Sequence, residues 1–196
     1  MSATRLEIRA SLQNRLSAIS TIWSDGDLNG IIDDAIEGLY PSFYKRNVGT
    51  TTAGVGPSQT LPTGARNLYM IGLQRVGSNR VRPLRNWVEG QSTAIVPKAN
   101  IAGATLVWAW TSGWDAPATD LTVLDIVPEA REVLLLRCEI AALEEMLSTH
   151  IQAGGYNAIQ ARPLISEADI VNALQAKHTS LQERLERVVP LPEVQR

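Results

Sequence analysis

Apolar residues near the N-terminus recur with the spacing of an amphipathic α-helix. Thr4 and Glu7 form a capping-box pattern, and an apolar stripe that continues to about Ser20 predicts the first helix. This stripe consists of Leu6, Leu12, Leu16 and Ile19. A second helix is predicted from Ser24 to Pro41, which cannot continue it, and the short connection favours an antiparallel helical hairpin. Its apolar positions are Leu28, Ile31, Ile32, Ala35, Ile36 and Leu39.

The pattern then changes to that of strands and turns. A stretch rich in glycine, threonine and proline at 47–64 predicts a long exposed loop. Four strands are predicted, at 68–76, 80–88, 92–96 and 104–111. A turn at Gly77-Ser78-Asn79 joins the first two, and alternation in the last places Leu106, Trp108 and Trp110 on one face. This segment therefore predicts a small, mainly antiparallel β unit.

Helical periodicity returns at Pro128, an allowed first-turn residue. The helix that follows is apolar around more than half of its circumference, which is typical of a central, buried helix. Its apolar positions are Val133, Leu134, Leu136, Ile140, Ala141, Leu143, Met146 and Leu147. Ser166 with Asp169 predicts the start of a last helix. Its apolar seam consists of Leu174, Leu181, Leu185 and Val188.

These elements predict an α+β protein that is mainly an α-helical bundle of about four helices with an inserted small antiparallel β domain. Residues 1–44 and 121–196 are expected to form the bundle domain and an extended C-terminal tail. Residues 45–120 are expected to form the inserted β domain with its long Gly/Thr/Pro-rich loop. A length of 196 residues suits one large domain or two small ones.

Charge is distributed unevenly along the chain. The whole sequence has a net charge of -2, which excludes a generally basic nucleic-acid coat. Residues 1–44 carry -3, residues 45–120 carry +5 and residues 121–196 carry -4. The candidate basic patch of the middle segment comprises Arg66, Arg75, Arg80, Arg82, Arg85 and Lys98. These side chains either contact a neighbouring subunit or passing DNA, or form a solvated sheet edge that resists strand addition.

Side chains that could support catalysis or metal binding are few and scattered. We predict no catalytic residue, cofactor or metal, and no enzyme activity. Cys138, in the most apolar helix, is interpreted as a core residue, and His150 and His178 as surface or capping residues. The pairs Asp33-Asp34 and Glu144-Glu145 are interpreted as solvated helix faces. The tryptophans are interpreted as core or interface anchors rather than as base-stacking surfaces: Trp87, Trp108, Trp110 and Trp114.

The longest aliphatic run, at 133–136, is far shorter than the ~20 residues that span a membrane, so no membrane partner is expected.

The second helix also carries a family-like pattern. Trp23-Ser24-Asp25 is followed by Leu28, Ile32, Ala35 and Leu39-Tyr40-Pro41, and Pro128-Glu129 leads the long apolar helix. With a short first helix and a variable middle segment, this order of features resembles the head-to-tail adaptor proteins of tailed bacteriophages over most of the chain. These proteins are also called head-completion or connector proteins.

The resemblance implies a structural virion protein that forms a dodecameric ring under the portal and extends the DNA channel. The expected partners are the portal protein, other copies of the chain, the next neck, stopper or tail protein, and genomic DNA in transit without sequence specificity. The expected location is the virion neck at the head–tail interface, and the host cytoplasm during assembly.

C-terminal segments of this family commonly dock on the portal, and here that segment falls on an apolar, proline-containing tail. The residues concerned are Val188, Val189, Pro190, Leu191, Pro192 and Val194. A frayed tail is the alternative interpretation. For the whole chain, the alternative is a small nucleic-acid-binding regulatory module that uses the basic β hairpin.

Overall fold

The computed structural model describes residues 2–74, 80–96, 101–153 and 167–188. Within these residues the protein is a mixed α+β structure with four α-helices and antiparallel sheets, which confirms the α+β class. The chain divides into two compact units. The helical unit lies within Met1–Phe43 and Trp114–Val189, and the β unit contains Tyr44–Gly113.

The helices and strands have the following bounds. The helical unit contains β1 (Ala3–Thr4), α1 (Arg5–Leu16), a 3-10 helix (Ser17–Ile22), α2 (Asp25–Glu37), β9 (Val123–Leu124), α3 (Pro128–Ala153) and α4 (Glu167–Leu185). The β unit contains β2 (Lys45–Thr52), β3 (Ser58–Thr60), β4 (Asn67–Gln74), β5 (Val81–Pro83), β6 (Val88–Glu89), β7 (Thr93–Ile95) and β8 (Thr105–Ser112).

Both predicted helix starts in the N-terminal segment are confirmed by their capping geometry. The Glu7 N–H donates to Thr4 Oγ1 at 3.2 Å, and the Thr4 N–H donates to Glu7 Oε2 at 2.9 Å. Ser24 and Asp27 exchange the equivalent bonds at 3.2 and 2.9 Å. These bonds satisfy N–H groups that have no partner within the helix, and they fix where each helix begins.

The predicted extent and face of the first helix need two corrections. The α-helix ends at Leu16, and the chain continues as a 3-10 helix, because Ser17 adopts a φ of 49° and its hydroxyl donates to the Asn14 carbonyl. Leu6, predicted on the apolar stripe, is 43 % exposed. It lies two positions before the buried Ile8, about 200° away around the helix.

One hydrophobic cluster unites the four helices. α3 contacts α1, α2 and α4, and most of its apolar side chains are buried, which confirms the prediction of a central helix. On α4, Leu174 is buried, and Leu181 and Leu185 pack against the cluster, as the seam predicts. Ser166, the predicted first residue of this helix, lies outside the described residues.

The described residues of the β unit form two antiparallel sheets. The strand order is β2-β8-β4-β5 in the larger sheet and β3-β7-β6 in the smaller one. As predicted, Leu106 and Trp108 lie in the core of this unit, and Trp110 packs against it. The predicted turn Gly77-Ser78-Asn79 lies outside the described residues.

The predicted long loop at 47–64 is wrong in large part. β2 pairs with β8 along its full length, from Lys45 opposite Ser112 to Thr52 opposite Thr105. Gly49 is required inside this strand because a Cβ there would lie 2.9 Å from the Trp110 ring. The glycine that indicated a loop is therefore a packing position beneath a tryptophan.

The predicted strand at 80–88 is also corrected. It is two short strands, Val81–Pro83 and Val88–Glu89, separated by a segment in which Asn86 has a φ of 62°. A left-handed residue cannot continue a strand, and asparagine tolerates this conformation better than most residues.

Candidate functional site

The predicted basic patch is divided between the two ends of β4. Arg80, Arg82 and Arg85 are exposed around β5, and Arg82 pairs in register with Leu73 near the end of β4. Arg66 is exposed at the opposite end of β4, where its backbone N–H donates to the Thr111 carbonyl. Because a strand rises about 3.3 Å per residue, roughly 20 Å of β4 separates Arg66 from Arg82. The members of the predicted patch that the structure describes therefore lie in two groups rather than together.

Two other members of the predicted patch, Arg75 and Lys98, lie outside the described residues.

Sequence reasoning missed two cations near Arg66. Arg46 and Asn67 both pair in register with Thr111, which brings Lys45 and Arg46 to the same end of the sheet as Arg66. The Arg46 guanidinium lies 5.8 Å from the centre of the Tyr44 ring, within the range of a cation–π contact. The adjacent Lys45 and Arg46 are visible in the sequence, but their position depends on β2 being a strand.

Net charge separates the two units more sharply than the sequence segments indicate. Residues 44–113 contain eight basic side chains and one acidic side chain, a net charge of +7, and the rest of the chain carries -9. The one acid, Glu89, accepts a hydrogen bond from the Leu68 N–H through Oε1 at 3.2 Å. This carboxylate, on β6 of the smaller sheet, therefore links that sheet to β4 of the larger one.

The tryptophans belong to the two hydrophobic cores, as predicted. Trp87 and Trp108 are buried in the β unit, and the Trp108 indole N–H donates to Thr51 Oγ1 at 2.6 Å. Trp114 is buried in the helical unit, where its indole N–H donates to the Asp125 carbonyl at 3.0 Å. Since a buried ring cannot stack on a base, these three residues serve packing.

An ion-pair network in the helical unit corrects the interpretation of Asp33 as a solvated residue. Arg5 donates to Asp33 Oδ2 at 2.6 Å and to Asp120 Oδ1 at 2.8 Å. Arg9 donates to Asp120 Oδ2 at 3.0 Å and to Asn29 at 2.9 Å. Burial raises the pKa of Asp33, although Arg5 opposes the change. The network links α1 and α2 to the segment that precedes β9, across sequence separations that local patterns do not reveal.

Asp120 provides a pH-dependent test of this network. Burial acts to raise the pKa of Asp120, but hydrogen bonds and charge from Arg5 and Arg9 outweigh burial and lower it. A lowered folded-state pKa stabilises the protein above the unfolded pKa, and this contribution disappears as the pH falls through the folded pKa. We expect Asp120→Asn to lower the thermal midpoint at neutral pH, with a difference from wild type that shrinks as the pH falls below the ordinary pKa range of an aspartate. A pH-independent difference in thermal midpoint would contradict this assignment.

A second network surrounds a buried acid that the sequence pattern did not single out. The Glu139 side chain is 2 % exposed, and it accepts from Arg15 of α1 at 3.0 Å and from Lys177 of α4. Arg15 also donates to Glu132 at 2.8 Å. Burial acts to lower the pKa of Arg15, but hydrogen bonds and charge from Glu132 and Glu139 together outweigh burial and raise it. A carboxylate on α3 is thus neutralised by cations from two neighbouring helices.

Cys138 occupies the core of the helical unit, which confirms its interpretation as a core residue. Burial, with a smaller contribution from Glu139, raises the pKa of its thiol to about 12. Since the thiolate is the reactive form, we expect a maleimide to label native Cys138 at about pH 8 only as fast as the protein unfolds. Mass spectrometry of labelled protein, with and without denaturant, measures this rate. Rapid labelling of the native state would show that the thiol is accessible.

The remaining acidic and histidine side chains that the sequence analysis considered lie on α3 and α4. Glu144 and Glu145 are exposed, as predicted, and half-exposed His178 lies 3.6 Å from Glu144. The side chain of His150 lies outside the described residues. Among the residues that the structure describes, no three His, Cys, Asp or Glu side chains come together to hold a metal ion.

The structure describes only the first residue of the predicted docking tail. The Val188 N–H donates to the Leu185 carbonyl at 3.1 Å, just beyond the end of α4. The other tail residues lie outside the described part of the chain: Val189, Pro190, Leu191, Pro192 and Val194.

The basic β unit is accordingly the candidate functional site that the described residues define best. It combines a net charge of +7 with exposed arginines at both ends of β4, in a framework fixed by buried tryptophans. Within the described ranges, no helix combines the length and apolar character that crossing a bilayer requires. No protein-family model matches the chain, and no curated protein is significantly similar to it.

Proposed function

We propose that this chain is a head-to-tail adaptor of a tailed bacteriophage. It forms a dodecameric ring under the portal, extends the DNA channel, and connects to the next neck, stopper or tail protein. The observation that carries the proposal is the opposite charge of its two units, +7 and -9. Opposite charges on one subunit favour heterologous contacts between copies, and such contacts close into rings when the rotation permits.

The segment that carries the family resemblance supports this proposal. Ser24 caps α2, and Leu28, Ile32 and Leu39 are fully buried in the helical unit. The residues of this pattern therefore form a capped helix that anchors the core of the helical unit. We propose that the four helices act as one bundle domain and that the β unit is a domain inserted into it.

The exposed arginines of the β unit would contact an acidic neighbour or DNA in the channel. Arg80, Arg82 and Arg85 bind phosphates without reading bases, because a channel must let DNA slide. Binding to one preferred sequence that persists at moderate salt would contradict this role. In the assembled virion the protein belongs to the neck at the head–tail interface, and during assembly it is in the host cytoplasm.

Co-migration with the portal ring tests the proposal. Purified chain is mixed with the portal protein from the same source and separated by size-exclusion chromatography at several salt concentrations. We expect the chain to elute with the portal ring, and the same chain mixed with an unrelated portal provides the control. Complete separation from its own portal at every salt concentration would count against the adaptor function.

Deletion of residues 188–196 tests the predicted docking tail. We expect the truncated chain to keep the thermal midpoint of the full chain and to lose co-migration with the portal, because an extended apolar segment binds in a groove of its partner. Circular dichroism checks that the helical unit is intact. Undiminished portal binding after the deletion would show that docking uses another surface.

A nucleic-acid-binding regulatory module is the second candidate, and the net charge of +7 on the β unit is the observation that favours it. The two candidates differ in their partners. A regulatory module binds duplex DNA and does not associate with the portal, whereas an adaptor associates with the portal and binds DNA without sequence preference.

A further inference from the structure

Two adjoining cavities open where α1, α3 and α4 meet. They have volumes of about 240 and 500 Å³, and both are lined by Arg15 and Glu132. We call the two together the helical groove. The buried side chains of Ile126, Leu135 and Leu136 lie at its base, so a bound molecule would meet apolar surface.

The charge of the helical groove is opposite to that of its surroundings. The chain outside residues 44–113 carries -9, yet four arginines and two glutamates line the groove. They are Arg15, Arg131, Arg184, Arg187, Glu132 and Glu183. A locally basic groove in an acidic unit attracts an anion that the surrounding surface repels.

Two of these arginines have guanidinium groups that no acidic side chain among the described residues neutralises. Arg15 pairs with Glu132 and Glu139, and Arg131 donates to Ser11 Oγ at 3.3 Å. Arg184, in the last turn of α4, and Arg187, just beyond its end, are exposed and make no side-chain hydrogen bond or ion pair among the described residues. They therefore present adjacent donors in the planar geometry that matches carboxylates.

We propose that the helical groove binds an extended acidic peptide segment of a partner protein. Carboxylates of the segment pair with Arg184 and Arg187, and an apolar side chain packs against Leu135 or Leu136. The glutamates disfavour a nucleic-acid backbone, because Glu132 and Glu183 would lie next to a continuous row of phosphates. This inference goes beyond the adaptor function and does not depend on it.

Peptide binding to the full chain tests the proposal. The probe is a fluorescein-labelled peptide in which glutamates alternate with leucine and serine, and a matched peptide carries lysine for glutamate. We expect saturable binding of the acidic peptide alone by fluorescence anisotropy, and about tenfold weaker binding to the double variant Arg184→Gln, Arg187→Gln. The control variant, Asn172→Asp with Gln175→Glu, makes the same change in net charge at exposed positions of α4 outside the groove.

The proposal predicts that the control variant binds the acidic peptide as the wild type does, and that amide chemical-shift changes on binding cluster around Leu135, Leu136 and Arg184. Absence of saturable binding would overturn it. Equal weakening in both variants would also overturn it, since the effect would then reflect overall charge. Displacement of the peptide from these residues by duplex DNA at equal concentration would assign the groove to nucleic acid instead.

Discussion

Replacing Arg80, Arg82 and Arg85 together with glutamine should weaken binding to random-sequence duplex DNA and flatten its salt dependence. Each phosphate contact contributes about 0.9 to the slope of the logarithm of the association constant against the logarithm of salt concentration. Loss of three contacts should therefore reduce the slope by about 2.7. The β unit has a net charge of +7, to which these arginines contribute. Because their side chains are exposed, replacing them leaves the core of the β unit intact.

Anisotropy of a labelled duplex, titrated at several salt concentrations, measures this slope. The control replaces Arg131, Arg184 and Arg187 of the helical unit with glutamine, which makes the same change in net charge. We expect the control to retain nearly the wild-type slope. Equal slopes for the wild type and the β-unit variant would show that the arginines around β5 do not contact phosphates.

Replacing Trp108 with alanine should destabilise the β unit by about 4 kcal/mol. Trp108 is completely buried on β8, the strand that pairs with both β2 and β4, and it lies opposite Gly49 and Ile71. Its loss leaves a cavity and also leaves Thr51 Oγ1 without the indole donor. Trp108→Phe keeps most of the buried area and should cost about 1–2 kcal/mol.

Hydrogen exchange followed by mass spectrometry localises this destabilisation. We expect Trp108→Ala to remove protection from β2, β4 and β8 while α1 and α3 remain protected. Trp114→Ala provides the matched control, because Trp114 is buried in the helical unit and its loss should expose the helices instead. If Trp108→Ala left β2 protected, the packing of this sheet would not depend on the tryptophan core.

Features that depend on neighbouring residues could be predicted from the sequence. Thr4 with Glu7 and Ser24 with Asp27 fix two helix starts through bonds over three positions, and the structure contains all four backbone bonds. The apolar circumference of α3 likewise identifies a buried helix. These signals are short-range, so no knowledge of the fold is needed to interpret them.

Features that depend on distant partners could not be predicted in this way. The glycines, prolines and threonines at 47–64 predict a loop, and only the pairing of β2 with β8 shows that Gly49 lies within a strand and accommodates Trp110. The residues next to Glu139 in the sequence do not indicate that it is buried in an ion-pair network either, since its partners Arg15 and Lys177 come from other helices.

The candidate site was predictable in composition but not in arrangement. The excess of positive charge in the middle segment is visible in the sequence, and residues 44–113 carry +7. The separation of Arg66 from Arg82 follows from the length of β4, and the grouping of Lys45 and Arg46 with Arg66 follows from the register of β2. Strand register therefore determines which arginines can act together.

Native mass spectrometry of the chain with the portal ring from the same source tests the adaptor function most directly. We expect a complex of one portal ring with twelve copies of the chain, in which neighbouring copies meet through units of opposite charge. A portal ring without bound chain, under conditions in which both components remain folded, would contradict the adaptor function.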